Sequence, residues 1–226
     1  MAKTYAIAID GPAGAGQSTI AKRLAKELGY YYVDTGAIYH TVAYFMDLLG
    51  VSPKDVDGVE RYIDELTIVI EYDEEGKQHM IMNGMDVTGE IRTQDISQKA
   101  SLVSAHAVVR EVLLDMQRDV AKAHNVIMDG RDIGTVVLPK ADVKIFLTAS
   151  PEVRAKRRTD ELLAKGQEAV FDVVLKEIQQ RDYQDTHREI APLKMAKDSI
   201  KLDTSELDIE GVVAAMKKII GEKIAL

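Results

Sequence analysis

The chain has 226 residues, 46% of them hydrophobic, with no cysteine, no tryptophan and a formal charge of −8. That is enough to bury a full core, it excludes a disulfide framework and any thiolate zinc site, and its length suits one domain with insertions better than two independent ones. The acidity argues against broad nucleic-acid binding, no apolar run approaches the ~20 residues of a membrane span, and residues 1–9 lack a signal-peptide pattern. A cytoplasmic protein bound neither to nucleic acid nor to a membrane is expected. Eight of the eleven arginines nevertheless fall between Arg110 and Arg188, which points to local handling of a small anion.

The apolar run Tyr5–Ile9 predicts a strand ending at Asp10. Gly11, Pro12, Ala13, Gly14, Ala15, Gly16, Gln17, Ser18 and Thr19 follow, and Ile20, Ala21, Leu24, Ala25 and Leu28 then recur at helical spacing, with Gly29 as a C-terminal cap. Strand, glycine loop and helix in this order form a phosphate cradle: glycines let successive backbone N–H groups curl round an anion, and the helix dipole favours negative charge. The glycine and serine spacing fits the phosphate-binding loop, except that Gln17 stands where the pattern has lysine. The backbone donors survive that exchange, and the ammonium on the β/γ-phosphates does not.

Tyr30–Val33 reads as a short second strand, and Asp34 with Thr35 caps a helix to about Leu49, stopped by Gly50. From about Tyr62 to Val87 the pattern alternates, with a turn at 74–77, predicting a small antiparallel β insertion. Residues 94–123 predict helix in two pieces. Asn125–Met128 is a third core strand ending at Asp129-Gly130-Arg131-Asp132, and Val143–Leu147 a fourth. Ser150, Pro151 and Glu152 supply a cap, a first-turn proline and an acidic first turn to a helix carrying Arg154, Arg157 and Arg158. Gly166 breaks it, a further helix runs to about Tyr183, Ser199–Asp203 is the fifth strand, and a final amphipathic helix presents Val212, Val213, Met216, Ile219 and Ile220. The fold expected is α/β: a five-stranded parallel sheet with helices on both faces, a small antiparallel β insertion and a helical lid. Ligands then belong at the strand C-terminal ends, where Gly11, Asp34, Asp129 and Asp132 lie.

IDGPAGAG at 9–16, DTGAIY at 34–39, GEIRT at 89–93, DGRDIGT at 129–135, KIFLTAS at 144–150 and HREIAPL at 187–193 together resemble the bacterial cytidylate kinases, a family of nucleoside monophosphate kinases with a P-loop. The resemblance is collinear over essentially the whole chain. It implies a single domain over 1–226, with an acceptor-binding region at 35–105 that includes the β insertion at about 62–95, and a lid at 151–187. It also implies phosphoryl transfer from ATP, with Mg2+, to CMP or dCMP by a monomer whose partners are small-molecule nucleotides.

Cytosine offers an amine donor beside two acceptors, so its pocket wants a carboxylate facing the amine and a guanidinium or hydroxyl facing the acceptors. By resemblance these are Asp132, Arg110 and Ser101. Arg131 and Arg188 are implied for the monophosphate and Asp185 for the ribose hydroxyls, with Thr35, Tyr39, His40 and Arg181 in the same acceptor set. Residues 11–19 are implied for ATP, with Ser18 and Asp129 for the metal. Gln17 at the lysine position, with Arg154, Arg157 and Arg158 on the lid, makes up the catalytic set.

Duller readings exist for each group. Arg131 and Asp132 would also suit a structural ion pair, the three lid arginines one solvated helix face, and Asp185 with Arg188 a surface helical pair. Three positions depart from the family pattern: Gln17 for lysine, His40 for an arginine after DTGAIY, and Ala107 for a proline that commonly breaks the long helix. The first two subtract cations from bound phosphates, so impaired turnover is expected, and His40 is largely neutral at pH 7 unless a phosphate raises it. A nucleotide-binding pseudokinase and a kinase of another small acceptor remain the alternatives.

Overall fold

In the computed structural model, which describes residues 3–224, β1 (Ala6–Asp10) runs into the glycine loop, and α1 (Gln17–Leu28) begins at Gly16. Gly16 takes a left-handed φ of 91°, a conformation that favours glycine. β2 (Tyr31–Asp34) passes straight into α2 (Thr35–Leu48) because the Asp34 carboxylate accepts the Ala37 N–H, a cap of about 1 kcal/mol. A short helix, α3 (Val56–Tyr62), has no counterpart among the sequence expectations; it buries only Gly58 and Val59, too few positions to show a period. β3 (Ile68–Tyr72), β4 (Gln78–Met82) and β5 (Met85–Asp86) then form the antiparallel insertion.

α4 (Gln94–Val103) and α5 (Ala107–Ala123) stay separate although Ala107 is no helix breaker. The corner between them is held by side-chain bonds. The Ser104 hydroxyl donates to the Ser101 carbonyl, Arg110 Nη1 donates to the Ser104 carbonyl, and His106 Nε2 lies 2.8 Å from the Pro53 carbonyl. β6 (Val126–Gly130) and β7 (Val143–Thr148) follow, and Ser150 caps α6 (Pro151–Ala164) through the Val153 N–H. α7 (Phe171–His187), β8 (Ile200–Asp203) and α8 (Ile209–Gly221) complete the order.

The five-stranded sheet is wholly parallel in the order β2-β6-β1-β7-β8. Alternation along β1 sends Ile7 and Ile9 into a core shared with Ile20 and Leu24 of α1 and with Val212, Met216 and Ile220 of α8. Ala8 faces the opposite core, with Val33, Val126, Met128 and Ile133. A third core joins α2, α4 and α5 to the insertion through Ile38, Met46, Met80, Ile91, Ile96 and Val109. The edge strand β2 is covered on its open side: Gln78 Oε1 accepts the Asp34 N–H at 2.8 Å, and the Tyr72 hydroxyl donates to the Tyr32 carbonyl. Strand register sets Asp34 beside Asp129 and Asp10 beside Gly130, so three strands deliver carboxylates to one end of the sheet.

Candidate active site

The loop from Gly11 to Gly16 packs so tightly that a Cβ on Gly11 would run into the Leu147 carbonyl. The first N–H groups of α1 have no intrahelical partner, and they follow directly on this loop. Ala13 and Gly14 contact the lid helix α6, since Arg154 Nη1 donates to the Ala13 carbonyl at 2.9 Å and Arg154 Cβ lies 3.5 Å from where a Gly14 Cβ would stand. Pro12 and Ala15 are buried, and Thr19 is exposed on the first turn of α1. Gln17 is 6% exposed, and its Nε2 donates to the Gly130 carbonyl at 3.0 Å. Its amide is therefore tied to the end of β6.

Ser18 is the loop side chain nearest a carboxylate: its hydroxyl donates to Asp129 Oδ2 at 2.8 Å, while the Tyr32 hydroxyl donates to Asp129 Oδ1 at 2.8 Å. Burial, and then the neighbouring Asp34 charge, push the Asp129 carboxyl above its ordinary range against those two hydrogen bonds. Asp34 goes the other way. Burial raises it, but the charge and hydrogen bond of Arg92 at 2.8 Å more than offset that and hold it low. Thr35 donates to the Asp129 carbonyl. His40 Nδ1 lies 2.9 Å from the Ile91 carbonyl, and burial lowers its pKa despite that contact and the nearby Asp34.

The end of β6 carries the densest charge. Asp132 is buried between two guanidiniums: Arg110 Nη2 bonds Oδ2, and Arg188 Nη2 donates to Oδ1 at 3.3 Å. Arg188 also reaches the Ser104 hydroxyl at 3.3 Å and takes the Ala191 carbonyl through Nε and Nη2. Ala191 holds a left-handed φ of 48°, unusual for a residue with a side chain. Tyr39 lies with its ring 5.5 Å from the Arg110 guanidinium, and the two line a cavity of about 250 Å³ with Leu114, Gln117, Val136 and Val137. Ser101 joins this network through its carbonyl.

On the other side of Asp132, Arg131 Nε donates to Asp185 Oδ2 at 2.8 Å. Burial raises the Asp185 carboxyl, but Arg131 and Arg181 more than offset this and hold it low. Arg181 Nη1 donates to the Ser97 hydroxyl at 3.1 Å, and its buried Nε has no protein partner among the described residues. Burial and then the like charge of Arg131 push the Arg181 guanidinium down to about 10. Two adjacent arginines, one with a buried unsatisfied N–H, constitute a strong local preference for an anion.

The three lid arginines part company. Arg154, 2% exposed, is clasped by Asp182 and spans to the loop. Arg157 donates to the Thr204 hydroxyl and to the Thr204 and Leu207 carbonyls, beyond the end of β8. Arg158 pairs with Glu161 on the surface of the same helix. Spacing along a helix put all three on neighbouring positions but could not say what each would meet. Two members of the site are not singled out by the sequence alone, Ser104 and Arg92. Arg92 sits inside GEIRT, whereas Ser104 shows itself only through the corner it ties. Among the described residues no group of three or more His, Cys, Asp and Glu side chains is placed to hold a metal ion, and no helix is long and apolar enough to cross a membrane.

A family model described as cytidylate kinase matches residues 7–222. A cytidylate kinase of Exiguobacterium is 46% identical over 222 residues, covering 98% of this chain and 99% of its own. That of Carboxydothermus hydrogenoformans is 50% identical over 217 residues, covering 96% and 97%. The crystal structure of an uncharacterized protein from Eubacterium ventriosum aligns with a TM-score of 0.50 at 14% identity, over 96% of this chain and 99% of that one, a likeness of fold alone. The chain belongs to the cytidylate kinase family, P-loop enzymes that transfer a phosphoryl group from ATP to a nucleoside monophosphate.

Proposed function

We propose that the acceptor is CMP or dCMP and that turnover is slowed by Gln17 and His40. The observation that carries this reading is the buried Asp132 carboxylate, flanked by Arg110 and Arg188 and adjacent in sequence to Arg131, so that a base reader and a phosphate binder stand side by side. The Asp132 oxygens accept from the cytosine amine, Arg110 and Ser101 face its acceptors, and uracil, with a carbonyl in place of the amine, is disfavoured. Arg131, Arg188 and Arg181 hold the monophosphate with His40, Thr35 and Tyr39 around it, and Asp185 orients the ribose.

Residues 35–105 form the acceptor-binding region and 151–187 the lid, whose closure excludes water from the transfer. The loop at 11–19 cradles the ATP phosphates through its backbone N–H groups. Magnesium keeps several waters and needs only one or two protein oxygens, which fits the Ser18 hydroxyl beside Asp129. When bound, it neutralises charge on the β- and γ-phosphates. The protein works as a cytoplasmic monomer on small nucleotides.

A second reading is a pseudokinase that binds nucleotides without turnover. It is favoured by the Gln17 amide, which is neutral and is tied to the Gly130 carbonyl. Steady-state phosphorylation of CMP, dCMP, UMP, AMP and GMP by the purified protein decides between them. CMP and dCMP are expected to give slow product formation and UMP far less. No product with any monophosphate, while MgATP still binds, establishes the second reading.

A further inference from the structure

A phosphate-binding loop whose lysine position holds glutamine has to find its positive charge elsewhere. Gln17 is neutral and its Nε2 is committed to the Gly130 carbonyl. Of the arginines near the loop, Arg154 is bonded through two of its nitrogens to Asp182 and is buried, Arg157 is spent on the carbonyls after β8, and Arg158 pairs with Glu161. Arg131 differs from all three. Its Nη1 approaches the Gly130 carbonyl at 3.5 Å, the same oxygen that receives the Gln17 amide, so the guanidinium and the carboxamide converge on one atom. Asp185 holds it by Nε, and Nη2 makes no hydrogen bond among the described residues. Burial lowers its pKa, but Asp185 first, then Asp129 and Asp182, more than compensate, so the group is a permanent cation.

We propose that Arg131 supplies the charge the loop lacks, one guanidinium serving both the acceptor phosphate and the phosphoryl group it receives. This rests on the kinase reading above. In the transfer an oxygen of the acceptor monophosphate forms the new bond to the γ-phosphorus, and the bond from that phosphorus to the β–γ bridging oxygen breaks. The electron pair departs on the diphosphate, and no proton moves. Charge therefore grows on the bridging oxygen and spreads over the γ-phosphoryl oxygens, and a preorganised cation beside Gln17 acts where it grows. The carboxamide acts by positioning, because its bond to Gly130 fixes the end of β6, from which Arg131 projects.

The test is a double-mutant cycle on the full chain, with Gln17→Lys, Arg131→Gln and both together, read as kcat at saturating CMP and as KM for CMP. Arg131→Gln is expected to lower kcat by about 10²–10³ in the parent but by roughly tenfold or less once Gln17→Lys has restored a loop cation. KM for CMP should rise by the same factor in both backgrounds, because the acceptor contact is lost in each. Melting temperature separates folding from chemistry, since a merely structural role lowers it and lowers kcat equally in both backgrounds. If Arg131→Gln does not fold, Arg131→Lys replaces it in the cycle, with the same unequal losses expected. Equal kcat losses in the two backgrounds overturn the assignment and leave the kinase reading standing. Absence of turnover in every protein overturns both.

Discussion

The glycine loop and the end of β6 lie side by side in the sheet, yet they carry charge in opposite ways. The loop offers backbone: its side chains at 11–19 are uncharged, Gln17 is tied down, and the one guanidinium seen to bond it among the described residues, Arg154, is neutralised by Asp182. The end of β6 offers side chains: Arg110, Arg131, Arg181 and Arg188 gather round the buried carboxylates Asp132 and Asp185. The difference teaches that binding a phosphate and activating it are separable. Backbone dipoles are enough to attract an anion, but charge that develops during transfer requires a fixed, preorganised cation, and here the cations sit on one side.

The sharpest way to break this comparison is at Asp132. Removing it by Asp132→Ala leaves Arg110 and Arg188 buried without their shared partner, which should cost about 3–5 kcal/mol of stability in denaturant unfolding, besides the loss of CMP binding. A cost below about 1 kcal/mol would mean the two arginines are held apart by their carbonyl partners alone, and the cluster would not be the rigid region described.

That cluster also marks how far the sequence can be read. The strands, the glycine loop and the capped helices announce themselves because each rests on local signals: Gly16 and Gly29 for left-handed turns, Asp34 and Ser150 for caps, alternation in the insertion. Asp129, Arg131 and Asp132 are legible as a site because they follow a buried strand. What is not legible is partner choice. Nothing near Arg157 in sequence indicates that Thr204 and Leu207, 47 and 50 positions on, will claim it. Nothing near Gln17 points to Gly130. The corner at Ser104 is held in part from far along the chain, since Arg188 reaches the Ser104 hydroxyl and His106 the Pro53 carbonyl where Ala107 leaves the helix free to continue. The two helical pieces expected over 94–123 are present although Ala107 by itself does nothing to break the chain.

A smaller effect sharpens the comparison on the acceptor side. His40 faces the Ile91 carbonyl, with Asp34, Arg92 and Arg181 contributing to its field, and burial sets its pKa below the ordinary 6.5. A histidine depressed in the folded state contributes stability that is present above its unfolded pKa and lost as pH falls through the folded value. The melting temperature of the parent should therefore fall more steeply than that of His40→Gln as pH drops from about 6.5 to 5, while the two run parallel above pH 7. Parallel curves throughout would show that burial does not depress the His40 pKa in the folded state.

The central claim, that the loop binds phosphate without activating it, is tested most directly by measuring the MgATP dissociation constant and kcat for CMP phosphorylation in the parent and in Gln17→Lys. In Gln17→Lys kcat should rise at least about tenfold, near 1.4 kcal/mol of barrier, while the dissociation constant changes by less than about threefold. Unchanged turnover together with a tenfold or greater gain in MgATP affinity would contradict it, because the missing charge would then belong to binding and not to transfer.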